Sequence, residues 1–188
     1  MGSTATKVLI GVLGYLAGFF SAISASNYQS CRDAEKLARI LLVEVKHNYG
    51  VLEDRAEAAR SFFGAKTKAE IQSAKESRPG DPSLMLTNFW DFRRTVFDAT
   101  LPHHGVLPEK ILKDVHSFYW ELHKIDRLMQ FAEKNTASRE FAARDLKFSF
   151  HHSVAALELA RKTDLLSTLE HEANRGSLYC LRPKYLWG

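Results

Sequence analysis

Residues 8–25 form an uninterrupted apolar segment, VLIGVLGYLAGFFSAISA, which contains no charged side chain. As an α-helix, a segment of this length measures roughly 27 Å, close to the thickness of the hydrocarbon core of a bilayer. A helix satisfies its own backbone hydrogen bonds and can therefore lie in lipid without a partner. The segment predicts a transmembrane anchor over residues 1–26, with the lipid bilayer as its surroundings.

A secretory signal peptide is the alternative interpretation of the same segment. Lys7 would supply its charged region, and Ala22-Ile23-Ser24 would supply its small-residue cleavage site. The apolar run is longer than is usual in a signal peptide, and the residues after it continue a helical pattern without Pro or Gly. We therefore expect an uncleaved anchor.

Small residues recur along the span at alternating steps of three and four. This spacing places them on one stripe of the helix, with bulky residues elsewhere. Small residues let two membrane helices approach closely, although glycine is also common in spanning helices generally. The stripe predicts an interaction face, directed at another membrane subunit or at a second copy of the chain. Its members are Gly11, Gly14, Gly18, Ser21 and Ala25.

The basic residues that flank the span predict its orientation. Only Lys7 precedes it, whereas Arg32, Lys36 and Arg39 follow it closely. The positive-inside rule then places the soluble domain in the cytoplasm. The chain has two cysteines, which could pair, but a single bridge is no disulfide framework.

The composition of the remaining chain suits one domain with a real core. The formal net charge is +4, and acidic and basic residues are interspersed. Because no run of Lys and Arg and no platform of stacking aromatics is present, we expect no nucleic-acid partner. We assign residues 27–176 to a helical domain and residues 177–188 to a basic and aromatic C-terminal tail, which could lie on the membrane or pack as a strap.

Helical periodicity dominates this domain, and no segment has the two-residue alternation of a strand. We expect an all-α fold, in which the N-terminal transmembrane helix continues, as a single rod, into an antiparallel helical bundle of about four helices. The predicted helices cover 27–63, 68–76, 83–99, 108–132 and 137–173, with a turn over 102–107.

Several polar residues are candidate metal ligands. Glu44 and His47 have the spacing of half a di-metal carboxylate site, but the required second half is missing, so we expect a surface pair. His116 and His123 share a face of one helix, His151-His152 lies on the next, and His103-His104 falls in an exposed turn. Without supporting carboxylates or cysteines, these histidines predict polar edges rather than a zinc or haem site.

The motifs of nucleophilic and phosphate chemistry are also missing. Neither G-x-S-x-G nor G-x-x-x-x-G-K-[ST] occurs in the sequence, so we expect no catalytic residues, no cofactor, no metal and no small-molecule substrate. Asn48 differs from the other polar residues because it interrupts the apolar seam of the helix over 27–63. A buried amide at such a position can fix the register between helices.

Three short motifs resemble a broad class of largely uncharacterised bacterial single-pass membrane proteins. These have an N-terminal span, a helix with an acidic-apolar-x-x-Asn motif, an aromatic helix and a Tyr-x-x-Leu helix. The matching residues are Leu41-Leu42-Val43-Glu44-Val45-Lys46-His47-Asn48, Asn88-Phe89-Trp90, and Tyr119 with Leu122. The resemblance implies a bacterial inner-membrane location and the architecture above, and it transfers no catalytic residues.

The sequence thus predicts a non-catalytic, single-pass accessory or scaffold subunit of a larger membrane complex. It would dock through the small-residue face of its span and through its helical domain. A membrane-tethered homo-oligomeric sensor or effector is the first alternative, and a metal-dependent helical-bundle enzyme is the second.

Overall fold

The computed structural model describes residues 2–63, 92–134 and 139–180, and these ranges are helical without any strand. The predicted all-α fold is confirmed at this level. A 3₁₀ helix, Leu101–Val106, follows the second helix directly. The α-helices are α1 (Gly2–Phe63), α2 (Thr95–Thr100), α3 (Glu109–Lys134), α4 (Arg139–Lys162), α5 (Leu165–Ala173) and α6 (Gly176–Cys180).

The first helix is one continuous rod of 62 residues, which corresponds to a length of roughly 93 Å. The predicted continuity of the span with the first domain helix is therefore confirmed, and Gly50 does not interrupt it. Among the described residues, α1 contains one segment long and apolar enough to cross a membrane. None of the apolar window in that segment is buried against the rest of the chain.

The hydrophobic core begins about one turn beyond Cys31 of α1. From Ala34 onward, one face of α1 packs on α4 and α5, while α3 packs mainly on α4. Apolar residues at three- and four-residue spacing line these contacts, as an amphipathic helix requires. The fully buried members include Ala38, Leu41, Val45, Leu52, Val115, Phe118, Leu122, Ile125 and Leu169.

The prediction of a helix over 83–99 is wrong over part of its length. Phe92 to Arg94 are not helical, and α2 begins only at Thr95. Side chains of α1 bind the backbone here and compete with helical hydrogen bonds, as the site below shows. Residues 83–91 and the predicted helix over 68–76 lie outside the described residues.

The last predicted helix is also wrong in one respect, because it is divided in two. Asp164 has a left-handed backbone conformation, with φ of 51°, and Asp is among the few non-glycine residues that adopt it readily. The Thr163 hydroxyl donates to the Leu159 carbonyl at 2.9 Å and stabilises the end of α4. The predicted helix over 108–132 corresponds to α3, and the predicted turn over 102–107 is largely the 3₁₀ helix.

The end of α5 at Ala173 agrees with the predicted end of the last helix at residue 173. Gly176 has a φ of 71°, and its lack of a side chain permits that reversal. The short helix α6 then returns to α1, where Cys180 forms a disulfide bond with Cys31. Their Cα atoms are 5.7 Å apart, within the usual range for a disulfide.

Candidate functional site

Glu44 is the centre of a buried polar cluster that joins three elements. Its carboxylate accepts hydrogen bonds from the backbone N–H groups of Val96 and Phe97, at 2.7 and 3.0 Å, and from the Tyr119 hydroxyl at 2.6 Å. Two of these donors belong to the first turn of α2, so Glu44 acts as a cap supplied by another helix. Only 4% of Glu44 is exposed, and the predicted surface pair with His47 is therefore wrong for Glu44.

Asn48 lies one turn further along α1 and is fully buried, in agreement with its position in the apolar seam. Its amide donates to the Arg93 carbonyl and accepts from the Arg93 N–H, both at 2.8 Å. The amide therefore holds the non-helical backbone before α2 rather than the register of two helices. The acidic-apolar-x-x-Asn motif and the tyrosine of Tyr-x-x-Leu thus meet in one docking cluster.

The environment of Tyr119 makes its proton difficult to remove. Burial raises the pKa of the phenol, and the hydrogen bond to the Glu44 carboxylate raises it further. The ring also stacks on Phe97, with centroids 4.0 Å apart. Tyr119 is thus a fixed hydrogen-bond donor, and its geometry is that of a structural clamp.

Two histidines beside this cluster form a hydrogen-bonded pair. Thr100 Oγ1 donates to the Val96 carbonyl and therefore accepts from His104 Nε2, at 3.0 Å. This leaves His104 Nδ1 to accept from His116 Nε2 at 2.9 Å. Burial lowers the pKa of His104, and the nearby His116 lowers it further. The prediction of an exposed turn is wrong for His104, which is buried, and right for the exposed His103.

A shallow cleft of about 260 Å³ opens next to the histidine pair. Arg94 Nη1 donates to His123 Nδ1 at 3.0 Å, and Arg94 Nη2 donates to Asp98 at 3.2 Å. The cleft can stack and hydrogen-bond a small group, but none of its lining residues is a serine, a cysteine or a carboxylate. These residues are Arg94, Phe97, Leu101, His116, Tyr119, Trp120 and His123.

Arg55 is a buried cation that is not among the predicted site residues. Its side chain is 1% exposed and donates to Ser153 Oγ at 2.9 Å and to Ser149 Oγ at 3.0 Å. The guanidinium also lies over the Phe150 ring, 5.2 Å from its centroid. Burial lowers the pKa of Arg55 to about 10, so the side chain remains charged at neutral pH. A signal was available, since Arg55 follows Asn48 and Leu52 on the core face of α1.

A second group of charges lies near the disulfide, and its carboxylates Glu35 and Glu172 are buried. Glu35 forms ion pairs with Arg32 and with Arg39, whose guanidinium also donates to the Ala173 carbonyl at 3.2 Å. Glu172 is 1% exposed and forms an ion pair with Arg175 at 2.6 Å. Burial raises the pKa of Glu172. These contacts bind the end of α5 to α1.

That the small-residue face of the span is an interaction face remains a prediction. Gly11, Gly14, Gly18, Ser21 and Ala25 are all exposed, so the described part of the chain does not cover them. A methyl group added at any of the three glycines would meet no atom within 4 Å. None of the described residues therefore occupies this face.

The structure brings no metal-ligand set together within the ranges 2–63, 92–134 and 139–180. No group of three or more His, Cys, Asp or Glu side chains in them could hold an ion. The candidate ligands His151 and His152 are partly buried, and His152 Nδ1 lies 2.8 Å from Glu121 Oε2. Burial opposes the shift, but hydrogen bonds from Lys124 and His152 lower the pKa of Glu121 below its usual range.

Comparisons with known proteins found no similar chain: no family model, no curated protein and no solved structure matches.

Proposed function

We propose that this protein is a non-catalytic, single-pass membrane subunit that holds a rigid helical domain at a fixed position beside a membrane complex. The continuity of α1 is the observation that carries the proposal. The same helix contains the apolar span and the buried residues Glu44, Asn48 and Arg55, which fasten the domain. Any partner that packs on the span is therefore linked to the domain without a flexible joint.

The polar clusters support a structural role over a catalytic one. Glu44 and Asn48 form their hydrogen bonds with backbone groups and with Tyr119. Arg55 donates to two buried serines. Because buried polar groups that are fully paired favour one arrangement of the core, such networks rigidify a fold.

The disulfide supports an orientation opposite to the one that Arg32, Lys36 and Arg39 predict. A bond between Cys31 and Cys180 persists in an oxidising compartment and is rare in the cytoplasm. Arg32 and Arg39 are ion-paired with Glu35, yet acidic residues count little in the positive-inside rule. The Cys31–Cys180 bond forms and persists where cysteines are oxidised, whereas the excess of positive charge beside the span is small, so the disulfide outweighs the charge bias. The helical domain then lies on the side of the membrane opposite to the cytoplasm.

The docking role is tested by changing the small-residue face alone. Replacing Gly14 and Gly18 with Leu keeps the span apolar but inserts branched side chains, so association should weaken by roughly 1–3 kcal/mol. Native mass spectrometry after gentle detergent extraction should then show loss of the partner. Leu13→Ile and Leu16→Ile, on the bulky face, are the matched control. Unchanged co-purification of the double-Leu variant would refute docking through this face.

The orientation is tested with a thiol reporter on an exposed position of α4. Glu158→Cys should react with a membrane-impermeant maleimide in intact bacterial spheroplasts. The unsubstituted chain controls for the native cysteines, which are bonded to each other. Labelling of Glu158→Cys only after permeabilisation would place the domain in the cytoplasm.

A further inference from the structure

The cleft beside the histidine pair lies where three segments of the chain adjoin. Arg94 precedes α2, Leu101 begins the 3₁₀ helix, and His116, Trp120 and His123 lie on α3. Its volume is about 260 Å³. An apolar cavity of roughly 150 Å³ already admits benzene, whereas sites for drug-sized ligands begin at roughly 300 Å³. The cleft therefore has room for a single ring with a small substituent.

The hydrogen bonds of the two cleft histidines determine which ring nitrogens are available to a ligand. His123 Nδ1 accepts from Arg94 at 3.0 Å, so a neutral His123 ring has its proton on Nε2, which is a donor. His116 donates from Nε2 to His104 at 2.9 Å, so Nδ1 of a neutral His116 ring is an acceptor. Within the described ranges, neither His123 Nε2 nor His116 Nδ1 forms a hydrogen bond with the protein. The cleft thus offers one histidine donor and one histidine acceptor.

The charges around the cleft favour an anion. Of the described residues that line it, only Arg94 has a fixed positive charge, and none is a carboxylate. Arg94 Nη2 donates to Asp98 at 3.2 Å, but the Asp98 side chain is 52% exposed, and exposed pairs of this kind are weak. The charge of Asp126 acts on Arg94, on His123 and on Arg55 together, and Asp126 does not line the cleft. A carboxylate in the cleft can therefore replace Asp98 at Arg94 Nη2.

The remaining walls of the cleft are apolar and partly open to solvent. The Trp120 side chain is 60% exposed and Leu101 is 43% exposed. An indole that lies open beside polar donors provides a large flat surface on which another aromatic ring can stack. The lining thus combines a stacking surface with donors for an anion.

We propose that this cleft binds a small aromatic carboxylate. The carboxylate accepts hydrogen bonds from Arg94 Nη2 and His123 Nε2, and the aromatic ring packs against Trp120 and Leu101. Charge-assisted bonds of this kind are roughly twice as strong as neutral ones, so an uncharged ring of the same shape binds less well. A cationic ring meets the Arg94 guanidinium and no carboxylate in the lining. The site goes beyond the scaffold role and does not depend on it, because the bound ligand would bridge α2 and α3 within the domain.

Fluorine NMR of para-fluorobenzoate with the full chain in nanodiscs tests the proposal. The signal should broaden saturably, and empty nanodiscs, which account for partition into lipid, should show no saturable component. The uncharged para-fluorobenzamide has the same ring and nearly the same size, and it should bind roughly tenfold more weakly. The cation para-fluorobenzylamine should bind more weakly still. No saturable binding of the benzoate at millimolar concentrations, or equal binding of benzoate and benzamide, overturns the proposal.

A pair of arginine variants locates the bound carboxylate. Arg94→Gln should lower the affinity for para-fluorobenzoate roughly tenfold or more. Arg127→Gln is the matched control, because Arg127 is an exposed arginine of α3 outside the lining, and it should leave the affinity unchanged. An intact Cys31–Cys180 bond and an unchanged helical circular-dichroism spectrum confirm folding of both variants. Equal affinities of the two variants overturn the site.

A variant that should gain affinity guards against loss of binding through misfolding. Asp98→Asn removes the carboxylate that competes for Arg94, so para-fluorobenzoate should bind roughly twofold to fivefold more tightly. Glu158→Gln, which removes an exposed carboxylate of α4, is the control for the change in net charge and should have no effect. Unchanged or weaker binding to Asp98→Asn overturns the contact with Arg94.

Discussion

The Tyr119 hydroxyl donates a 2.6 Å hydrogen bond to Glu44, and the two residues are 75 positions apart in the chain. The carboxylate that receives this bond also caps the first turn of α2. One buried side chain thus connects α1 with α2 and α3. Glu44 and Tyr119, which belong to two separate sequence motifs, together join the long helix α1 to the rest of the domain.

Removing the Tyr119 hydroxyl should destabilise this joint. Tyr119→Phe deletes a hydrogen bond to a buried charge, and such bonds contribute about 1.5–3 kcal/mol. We expect a loss of about 2 kcal/mol in the free energy of unfolding, measured by denaturant titration in detergent. Tyr49→Phe is the control, because the Tyr49 hydroxyl bonds an exposed Arg161, and it should cost well under 1 kcal/mol. Equal costs for the two variants would contradict the buried clamp.

The rod and the core helices could be predicted because they depend on local periodicity. The apolar run, the seam of α1 and the seam of α3 each follow from spacing along one segment. The start of α2 could not be predicted this way, since its first N–H groups are bound by Glu44, which is more than fifty residues earlier. The break at Asp164 likewise depends on a backbone conformation that carries no glycine or proline signal.

The candidate site was predictable only in its individual members. Asn48 is conspicuous because an amide interrupts an apolar seam, and its burial is confirmed. Arg55 occupies a comparable seam position and was missed, because a long charged side chain on a helix is usually solvated. The pairing of Cys31 with Cys180 remained open in the sequence, since it requires α6 to return to the start of the domain.

Breaking the disulfide should destabilise the domain strongly. The bond closes a loop of 149 residues, and the chain-entropy account assigns roughly 4–5 kcal/mol to a loop of that length, with measured values more often about 2–4. We expect Cys31→Ser with Cys180→Ser to lose roughly 2–5 kcal/mol in unfolding experiments. Reductant should shift the unfolding of the unsubstituted chain to a similar extent and leave the double variant unaffected. Unchanged unfolding in reductant would show that the bond contributes nothing to stability.

Acid should weaken the domain through His104. Burial and the neighbouring His116 lower its pKa in the folded state, whereas the unfolded chain titrates near the usual 6.5. The unfolded state therefore binds the proton first as pH falls below about 6.5, and stability is lost down through the folded-state pKa. The slope can reach about 1.4 kcal/mol per pH unit.

The measurement is the free energy of unfolding between about pH 7 and pH 5. His104→Gln should flatten the slope in this window, whatever its effect on stability at neutral pH. His103→Gln is the neighbouring control, because His103 is exposed, and the slope should survive there. A slope that persists in His104→Gln would assign the acid sensitivity to another group.

Arg55 should be intolerant even of lysine. Its guanidinium donates to Ser149 and Ser153 at once and lies over Phe150. Lysine keeps the charge but lacks the planar fork, so it cannot reproduce these contacts together. Because hydrogen bonds from a charged group contribute about 1.5–3 kcal/mol, Arg55→Lys should cost roughly 2–3 kcal/mol in denaturant unfolding.

Arg161→Lys is the matched control for that substitution. Arg161 also donates two hydrogen bonds, to Tyr49 at 3.0 Å and to Glu53 at 3.2 Å. All three side chains of this surface contact are accessible to water. Exposed pairs of this kind contribute about 0–1 kcal/mol, so the Arg161 substitution should have little effect. The difference between the two variants isolates the contribution of burial, since the chemical change is identical. If Arg55→Lys were as mild as Arg161→Lys, the buried cation would not fasten α1 to α4, and the rigidity of the joint would depend on Glu44, Asn48 and the disulfide alone.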